Sequence, residues 1–371
     1  MNTSRVYFIN LRSSYQRNIF EKFKLLFQDS KLKKIISPHD LVAIKLHFGE
    51  SGSTGFIQPI WVQKVVTLVK DSQAKPFLTD TTTLYAGQRS NAIDSIVNAI
   101  HHGFSYSTVE APIIIADGLR GNISKKVKID QKHFKEVYLA EGIYHSDAII
   151  CLSHFKGHML GGFGGSIKNL AMGMSDKHGK QIMHADQTPK ISEDKCLGCG
   201  ICIKWCQAKA LSIIDEKISL DSKQCVGCGQ CIASCPAQVF EVNWHALSST
   251  LVQERMGEYA LGVLKEKKDK VGFINFLINV TPDCDCCPHS DTPITSDIGI
   301  LASLDPVAID QVSVDLVNQE VGLRNSALKE NIKANTDKFK LIHPHVNWET
   351  QLSYGEKIGL GSRNYQLIQI D

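Results

Sequence analysis

Eight cysteines fall within residues 196–235, in two runs that share one spacing. Residues 196–206 read CLGCGICIKWC and residues 225–236 read CVGCGQCIASCP, so both runs have the pattern C-x2-C-x2-C-x3-C. Thiolates are the ligands that iron–sulfur clusters require, and in paired runs of this spacing the fourth cysteine of each run binds the cluster of the other. The spacing therefore predicts two [4Fe–4S] clusters. The predicted ligands are Cys196, Cys199, Cys202 and Cys235 for cluster 1, and Cys225, Cys228, Cys231 and Cys206 for cluster 2.

Structural zinc sites and disulfides are the alternatives for these cysteines. Zinc sites usually use separated cysteine pairs rather than two quartets, and disulfide frameworks are typical of small secreted domains. Residues 191–242 resemble a two-cluster bacterial ferredoxin, which is an α+β module. Gln207 follows Cys206 where a ferredoxin often has proline, a difference that removes no ligand.

A second group of cysteines lies in the segment PDCDCCPHSD, residues 282–291. Cys284, Cys286 and Cys287 stand within four residues, and Cys151 on a separate predicted strand is a candidate fourth thiolate. A third iron–sulfur cluster, a single metal ion, a redox-active dithiol and inert packing are all open readings. Adjacent cysteines do not readily bind one metal with ideal geometry. We nevertheless predict a third metal site here, with the dithiol as its main alternative.

The glycine-rich stretch HFKGHMLGGFGGSIKNLAMG, residues 154–173, has the features of an anion site. Glycines leave backbone N–H groups exposed, and a helix predicted to begin near Ser166 would add its N-terminus to them. The stretch matches neither the Walker A nor the G-x-G-x-x-G pattern, and a flexible turn is the alternative. The predicted binding residues are Gly161, Gly162, Gly164 and Gly165, with Lys156, His158 and Lys168 as catalytic candidates.

Strand and helix patterns alternate on both sides of the cysteine module. The predicted strands are residues 41–48, 75–80, 112–117, 147–152 and 271–280, and the predicted helices are residues 59–70, 91–102, 244–266 and about 306–320. This alternation predicts an α/β domain with a mostly parallel sheet, into which the ferredoxin-like module is inserted. The predicted boundaries are 1–190 and 243–371 for the two parts of the α/β domain and 191–242 for the module.

Ligands of such sheets bind beyond the carboxyl ends of the strands. Polar residues follow several of the predicted strands, and their shared location marks this edge as a candidate site. They are Lys45, His47, Glu50, Asp80, residues 81–83, Asp117, Ser153, His154 and the segment 283–287.

The bulk composition excludes several classes of protein. The formal net charge is +3 with no basic block, so nucleic acid is not expected as a partner. No stretch approaches the roughly 18 apolar residues of a membrane span, and the first thirty residues do not resemble a signal peptide. We therefore expect a soluble cytoplasmic protein without a membrane span.

Three stretches of the chain resemble a known family. VAIKLHFGE, residues 42–50, the stretch 149–173 and CDCCPHSDTPITSDIGILASLDPVAID, residues 284–310, are similar to the Fe–S centre proteins labelled domain of unknown function 362. The resemblance is to the branch that carries an inserted two-cluster ferredoxin module, and it implies that architecture and a preference for anaerobic or reducing settings. By match to the family's Lys-x-His and Lys-Asn pattern, Lys156, His158, Lys168 and Asn169 are candidate site residues.

These features together predict an iron–sulfur oxidoreductase. Electrons from a redox partner protein would pass through the two clusters to a small-molecule substrate, a further metal centre or a flavin, although no residue pattern supports flavin specifically. Lys156 and Lys168 would hold an anionic group, with His158 as the proton donor. The alternatives are a non-enzymatic electron carrier or adaptor, and a metal or cluster delivery protein that passes its cargo from residues 284–287.

Overall fold

Strands and helices alternate along the chain in the computed structural model, which describes residues 3–370 apart from residues 86, 185–187, 207, 226–229 and 242–247. The strands are β1 (Ser4–Asn10), β2 (Leu41–Lys45), β3 (Lys75–Asp80), β4 (Ile113–Ile115), β5 (Ser124–Lys128), β6 (Glu136–Ala140), β7 (Ala148–His154), β8 (Lys156–His158), β9 (Gly162–Gly164), β10 (Lys190–Ile191), β11 (Leu211–Ile214), β12 (Lys217–Leu220), β13 (Phe240–Glu241), β14 (Val271–Leu277), β15 (Gly299–Ser303) and β16 (Tyr365–Gln369). The α-helices are α1 (Ile19–Asp29), α2 (Pro59–Lys70), α3 (Ala92–His101), α4 (Tyr106–Val109), α5 (Glu141–His145), α6 (Ser166–Met174), α7 (Lys177–His184), α8 (Ile201–Trp205), α9 (Gln230–Ser234), α10 (Ser249–Lys267), α11 (Pro306–Gln319), α12 (Lys338–Ile342) and α13 (Glu349–Lys357).

An eight-stranded sheet with the order β16-β1-β15-β14-β7-β2-β3-β4 is the frame of the molecule. Every neighbouring pair is parallel except the two pairs that β15 makes, with β1 and with β14. The predicted α/β class with a mostly parallel sheet is confirmed. Helices α6, α10 and α11 pack on one face and α1, α2 and α3 on the other, each contributing its buried residues to the apolar layer of that face.

Several predicted elements have the boundaries that local chemistry dictates. Helix α2 begins at Pro59, whose fixed φ suits the first helical position. Asp305 caps α11 and accepts hydrogen bonds from the backbone N–H groups of Val307 and Ala308 at 2.8 and 2.9 Å. The strand predicted over residues 271–280 is shorter, because the chain turns at Asn279, whose φ is 55°. Residues 244–247 of the predicted helix 244–266 lie outside the described residues, and α10 runs from Ser249.

Strand β7 shows how the two apolar layers divide the side chains between them. Ile149 and Cys151 belong to one layer, and Ile150 and Leu152 belong to the other, which is the period of two that a strand imposes. Cys151 thus lies in the middle of a core strand rather than at its end, and burial raises the pKa of its thiol to about 12. Among the described residues, no hydrogen bond links Cys151 to the later cysteine group; its sulfur lies 3.9 Å from Ser153 Oγ.

Residues 190–241 contain two small antiparallel sheets, β10 with β13 and β11 with β12, and the two short helices α8 and α9 packed together. Their apolar core is small and separate from the two layers of the large sheet. The boundaries 191–242 stay a prediction, since residue 242 itself lies outside the described part. None of the helices in that described part has the length and apolar character needed to cross a bilayer.

Candidate functional site

The carboxyl ends of three adjacent parallel strands meet at one cavity of about 320 Å³. Lys45 ends β2, Asp80 ends β3 and His154 ends β7, and all three side chains line this cavity. The rule that ligands bind beyond the carboxyl ends of such strands led to the same residues. The central cavity also receives residues from the β8–β9 hairpin and from helices α6, α7 and α10.

A buried ion-pair network forms one wall of the central cavity. Lys45 Nζ lies 2.9 Å from Asp80 Oδ1 and 2.7 Å from Asn169 Oδ1. Arg89 Nη1 lies 3.3 Å from the other Asp80 oxygen, and Arg89 Nε lies 3.3 Å from Glu50 Oε2. All four charged side chains are at least nine-tenths buried. Buried charges are costly unless they are paired, and the two cations and two carboxylates of this wall are paired with one another.

Asp285 organises a second wall. His154 Nδ1 lies 2.9 Å and Lys156 Nζ 3.1 Å from Asp285 Oδ2, and the second ring nitrogen of His154 lies 2.9 Å from the carbonyl oxygen of Asn279. Burial would raise the pKa of Asp285, but the charges of His154 and Lys156 outweigh it and hold this pKa well below its usual range. Lys156, a predicted catalytic residue, is therefore paired with a carboxylate.

Lys168 approaches the later cysteine group instead. Its Nζ lies 3.1 Å from Cys284 Sγ, and the backbone N–H of Cys286 points to the same sulfur at 3.5 Å. A hydrogen bond with Cys286, together with burial, raises the pKa of Cys284 well above its usual value. The pKa of Cys287 is lowered by its hydrogen bond with Cys286. Lys168 of the glycine-rich stretch thus contacts the Cys284–Cys287 segment.

His158 lines the central cavity, but its chemistry differs from the prediction. Its Nδ1 accepts hydrogen bonds from the backbone N–H groups of Leu160 and Gly161 at 3.2 and 3.0 Å, so the proton of the neutral ring lies on Nε2. Burial, with the nearby charge of Lys168, lowers the pKa of His158 well below its usual value. At neutral pH the ring is uncharged, and it is a hydrogen-bonding group rather than the acid that was expected.

The helix N-terminus of the predicted anion site is occupied by a protein carboxylate. The stretch folds into the tight β8–β9 hairpin, and the first two N–H groups of α6, those of Ser166 and Ile167, donate to the carboxylate of Asp310 at 2.7 and 2.9 Å. A protein carboxylate thus occupies the helix N-terminus. Gly164 and Gly165 line the cavity, whereas Gly161 and Gly162 face residues of the C-terminal region, where a Cβ on Gly162 would lie 2.4 Å from Trp348.

The predicted ligands of cluster 1 surround a cavity of their own. Cys196, Cys199, Cys202 and Cys235 all line it, and a cubane requires its thiolates to be spread around it because each binds a different iron. Backbone N–H groups point to the sulfurs of Cys196 and Cys235, each at 3.5 Å, as backbone groups that donate hydrogen bonds to cluster thiolates do. These residues fit the predicted group.

Cluster 2 is described only in part. The N–H of Ala210 lies 3.3 Å from the sulfur of Cys206, but Cys228 lies outside the described residues. Over the described residues, no three His, Cys, Asp or Glu side chains converge as the ligands of a single metal ion would. The structure gives no support to a mononuclear third site at Cys284, Cys286 and Cys287.

A cleft at the cysteine module is separated from the central cavity by two residues. Leu84 and Tyr85 line both, and Cys235 lines the cleft from the module side. Gln238 of the module donates a hydrogen bond to Ser90 at 3.3 Å across it. The segment 84–85 is therefore a thin partition between a predicted cluster ligand and the cavity.

Comparison with known proteins places the chain in a family. The family model described as domain of unknown function (DUF362) matches residues 42–315. The chain belongs to this family. The matched range of the DUF362 model includes the walls of the central cavity and the cysteine module. No curated protein matches the sequence.

Two solved structures share a weak likeness with this DUF362 protein. They are the lactate racemase apoprotein from Thermoanaerobacterium thermosaccharolyticum, at 8% identity and a TM-score of 0.35, and a Thermotoga maritima protein, at 7% identity and a TM-score of 0.38. Each alignment covers 69% of this chain, but the chain spans only about half of those proteins, 48% and 50% of their lengths. Likeness at this level identifies neither a shared fold nor a shared activity.

Sequence reasoning missed two cations of the site. Arg89 lies in the loop before α3, and Lys180 lies on the short helix α7. A lysine on a short helix usually faces solvent. Lys180 Nζ instead lies 2.7 Å from Thr81 Oγ1 and 2.6 Å from the carbonyl oxygen of Ser175, and burial lowers its pKa to about 8. No local pattern signals either residue, because their burial depends on contacts distant in sequence.

Proposed function

We propose that the chain is an iron–sulfur oxidoreductase that transfers electrons to a small organic anion in the central cavity. Two [4Fe–4S] clusters on the predicted cysteines would supply single electrons. The observation that carries the proposal is the shared partition of Leu84 and Tyr85, which separates Cys235 from the cavity. A site for electron delivery and a site for a ligand are thus neighbours in one chain.

The charge balance of the central cavity favours an anionic ligand. Five cationic side chains line it, namely Lys45, Arg89, Lys156, Lys168 and Lys180. The carboxylates of Asp80, Glu50 and Asp285 pair with the first three. Within the described part of the chain, neither Lys168 nor Lys180 forms an ion pair with a carboxylate. Two buried ammonium groups without such partners leave positive charge that a bound anion would neutralise.

The apolar part of the cavity lining favours an apolar body on the same ligand. The residues of this part are Met159 and Leu160 of the hairpin, Met172 of α6, and Val252 and Met256 of α10. A cavity of about 320 Å³ lies at the lower limit of small-molecule sites, roughly 300–1,000 Å³. The substrate we propose is therefore a small carboxylate or phosphate with an apolar portion.

An enzyme accounts for these features better than the alternatives do. An adaptor would need an exposed docking surface, whereas the charged groups here are buried around a cavity. A delivery protein must expose its cargo, but Cys284 is 4% exposed and bonded to Lys168. We place the protein in the cytoplasm, where thiols stay reduced, with a redox partner protein as electron donor.

Anaerobic purification followed by iron, sulfide and flavin analysis and EPR tests this proposal. About eight irons per chain are expected, with a signal from reduced [4Fe–4S] clusters. The reduced protein is then mixed with a library of small carboxylates and phosphates while cluster absorbance is followed. Reoxidation by a library member is expected in the native protein and slowed in Lys168→Met, while Lys128→Met, at an exposed lysine, serves as the control. Protein without iron, or equal reoxidation by Lys168→Met and native protein, contradicts the proposal.

A further inference from the structure

Three thiols lie in one turn at the wall of the central cavity. The turn is closed by a hydrogen bond from the N–H of Cys287 to the carbonyl oxygen of Cys284 at 2.9 Å. The backbone N–H of Cys286 also points to Cys284 Sγ at 3.5 Å. The proposed function does not use these contacts.

The arrangement of the three thiols argues for thiol chemistry rather than metal binding. Thiolates that hold a cluster are spread around a cavity, as Cys196, Cys199, Cys202 and Cys235 are. Cys284, Cys286 and Cys287 instead lie in a single turn of the chain. A disulfide between Cys284 and Cys286 therefore requires only a local rearrangement of this turn.

Lys168 is the charged group beside this turn. Its Nζ lies 3.1 Å from Cys284 Sγ, so its positive charge opposes the hydrogen bond with Cys286 and the burial that raise the pKa of Cys284. Cys286 lines the cavity, so a ligand there can reach it. Cys286 and Tyr85 both line the cavity, and Tyr85 belongs to the partition that separates the cavity from Cys235. Cys286 therefore borders the same cavity as the partition beyond which electrons would arrive.

We propose that Cys284 and Cys286 are a redox-active dithiol that forms a disulfide during turnover. Oxidation breaks two S–H bonds, forms one S–S bond, and releases two protons and two electrons to the ligand in the cavity. Reduction returns two electrons and two protons, and this step rests on the proposed function, because two clusters that each carry one electron supply the two required. Cys286–Cys287 pairing is excluded as the main product because a disulfide between adjacent residues distorts the intervening peptide bond.

Peptide mapping tests this pair in the full-length protein. Residues 271–324 form one tryptic peptide between Lys270 and Arg324, and its only cysteines are the three of this turn. Anaerobic protein is oxidised with one equivalent of diamide, alkylated with iodoacetamide and digested. The expected peptide carries one alkyl group, on Cys287, after oxidation and three after reduction with dithiothreitol. Three alkyl groups after oxidation, or a Cys286–Cys287 bond, overturn the proposal.

Variants separate the pair from its neighbour and from the clusters. Cys287→Ser is expected to form the disulfide, whereas Cys284→Ser is expected to keep both remaining thiols open to alkylation. In Lys168→Met, Cys284 should be alkylated about tenfold more slowly if loss of the ammonium group raises the pKa of its thiol by one unit. A Cys284 that is alkylated at the native rate in Lys168→Met contradicts the role given to Lys168.

Dithionite added to the oxidised protein is expected to restore three alkyl groups in the native chain but not in Cys235→Ser, while dithiothreitol restores them in both. Native protein with eight irons whose disulfide survives dithionite overturns the cluster-linked step and leaves the proposed function standing. Protein without iron refutes the proposed function, and the dithiothreitol result still decides whether the disulfide forms.

Discussion

The Asp310 carboxylate accepts the backbone N–H of Ser166 at 2.7 Å, joining two residues 144 positions apart. The same carboxylate accepts the N–H of Ile167 and a side-chain N–H of Asn275. It thereby ties the start of α6, which carries Lys168 and Asn169, to α11 and β14. The position of the site helix is set by this internal cap rather than by a ligand.

Removal of the cap should destabilise the protein measurably. Asp310→Ala leaves two buried backbone N–H groups and one side-chain N–H of Asn275 without their acceptor, at a cost of about 1–3 kcal/mol each. We expect the free energy of unfolding to fall by at least about 3 kcal/mol in urea denaturation. A loss below 0.5 kcal/mol, roughly that of a neutral surface change, would show that the amides find other partners.

The stabilities of the native protein and Asp310→Ala should also depend differently on pH. Burial raises the pKa of Asp310 to about 6, above the unfolded value of about 3.9. Between these pH values the folded state holds the proton that the unfolded state has lost, so this group adds stability as pH falls from about 6 to about 4. The stability difference between native protein and Asp310→Ala should therefore widen over that window. A difference that is constant or narrows from pH 7 to pH 4.5 contradicts the assignment.

Alanine substitutions at Gly162 and Gly359 test how tightly the β8–β9 hairpin packs. Both have left-handed backbones, with φ of 75° and 78°, but a Cβ on Gly162 would meet Trp348 at 2.4 Å, whereas Gly359 has no neighbour within 4 Å. Alanine at Gly359 should cost only the backbone strain, about 1 kcal/mol. Alanine at Gly162 should cost about 1–3 kcal/mol more because Trp348 must move. Equal losses of thermal stability in the two variants would show that the hairpin repacks freely.

Lys180 should make anion binding depend on pH. Burial lowers its pKa to about 8, so the ammonium charge is present below this pH and is lost as pH rises through it. Binding of 1-naphthoate, measured by isothermal titration, is expected to weaken from pH 7 to pH 9, and the neutral 1-naphthylmethanol should show no such change. In Lys180→Met the dependence should disappear. Unchanged naphthoate affinity at pH 9 in the native protein contradicts the role of Lys180.

Much of the fold could be predicted from short-range sequence signals. Asp305 and Pro306 mark the start of α11 because a cap and a fixed φ act within a few residues. The edge where Lys45, Asp80 and His154 meet followed from parallel strands sharing one direction. Strand β15 gave no comparable signal, since its antiparallel direction is set by its neighbours β1 and β14.

Less of the candidate site could be predicted from the sequence. The glycines and the helix start were recognised, but Asp310, which fills that helix N-terminus, lies more than a hundred residues away. For the same reason Arg89 and Lys180 could not be assigned to the cavity. The neutral state of His158 depends on the depth of its burial, which no spacing reveals.

The pairing of β1 has a consequence for biosynthesis. Its sheet partners are β15 and β16, so residues 4–10 leave the ribosome more than 280 residues before residues 299–303 and 365–369 are available to them. The cysteine module, whose partners lie within residues 190–241, is synthesised in between. The module can therefore fold on the nascent chain before β1 has its sheet partners. The central sheet is completed only after β16 has been synthesised.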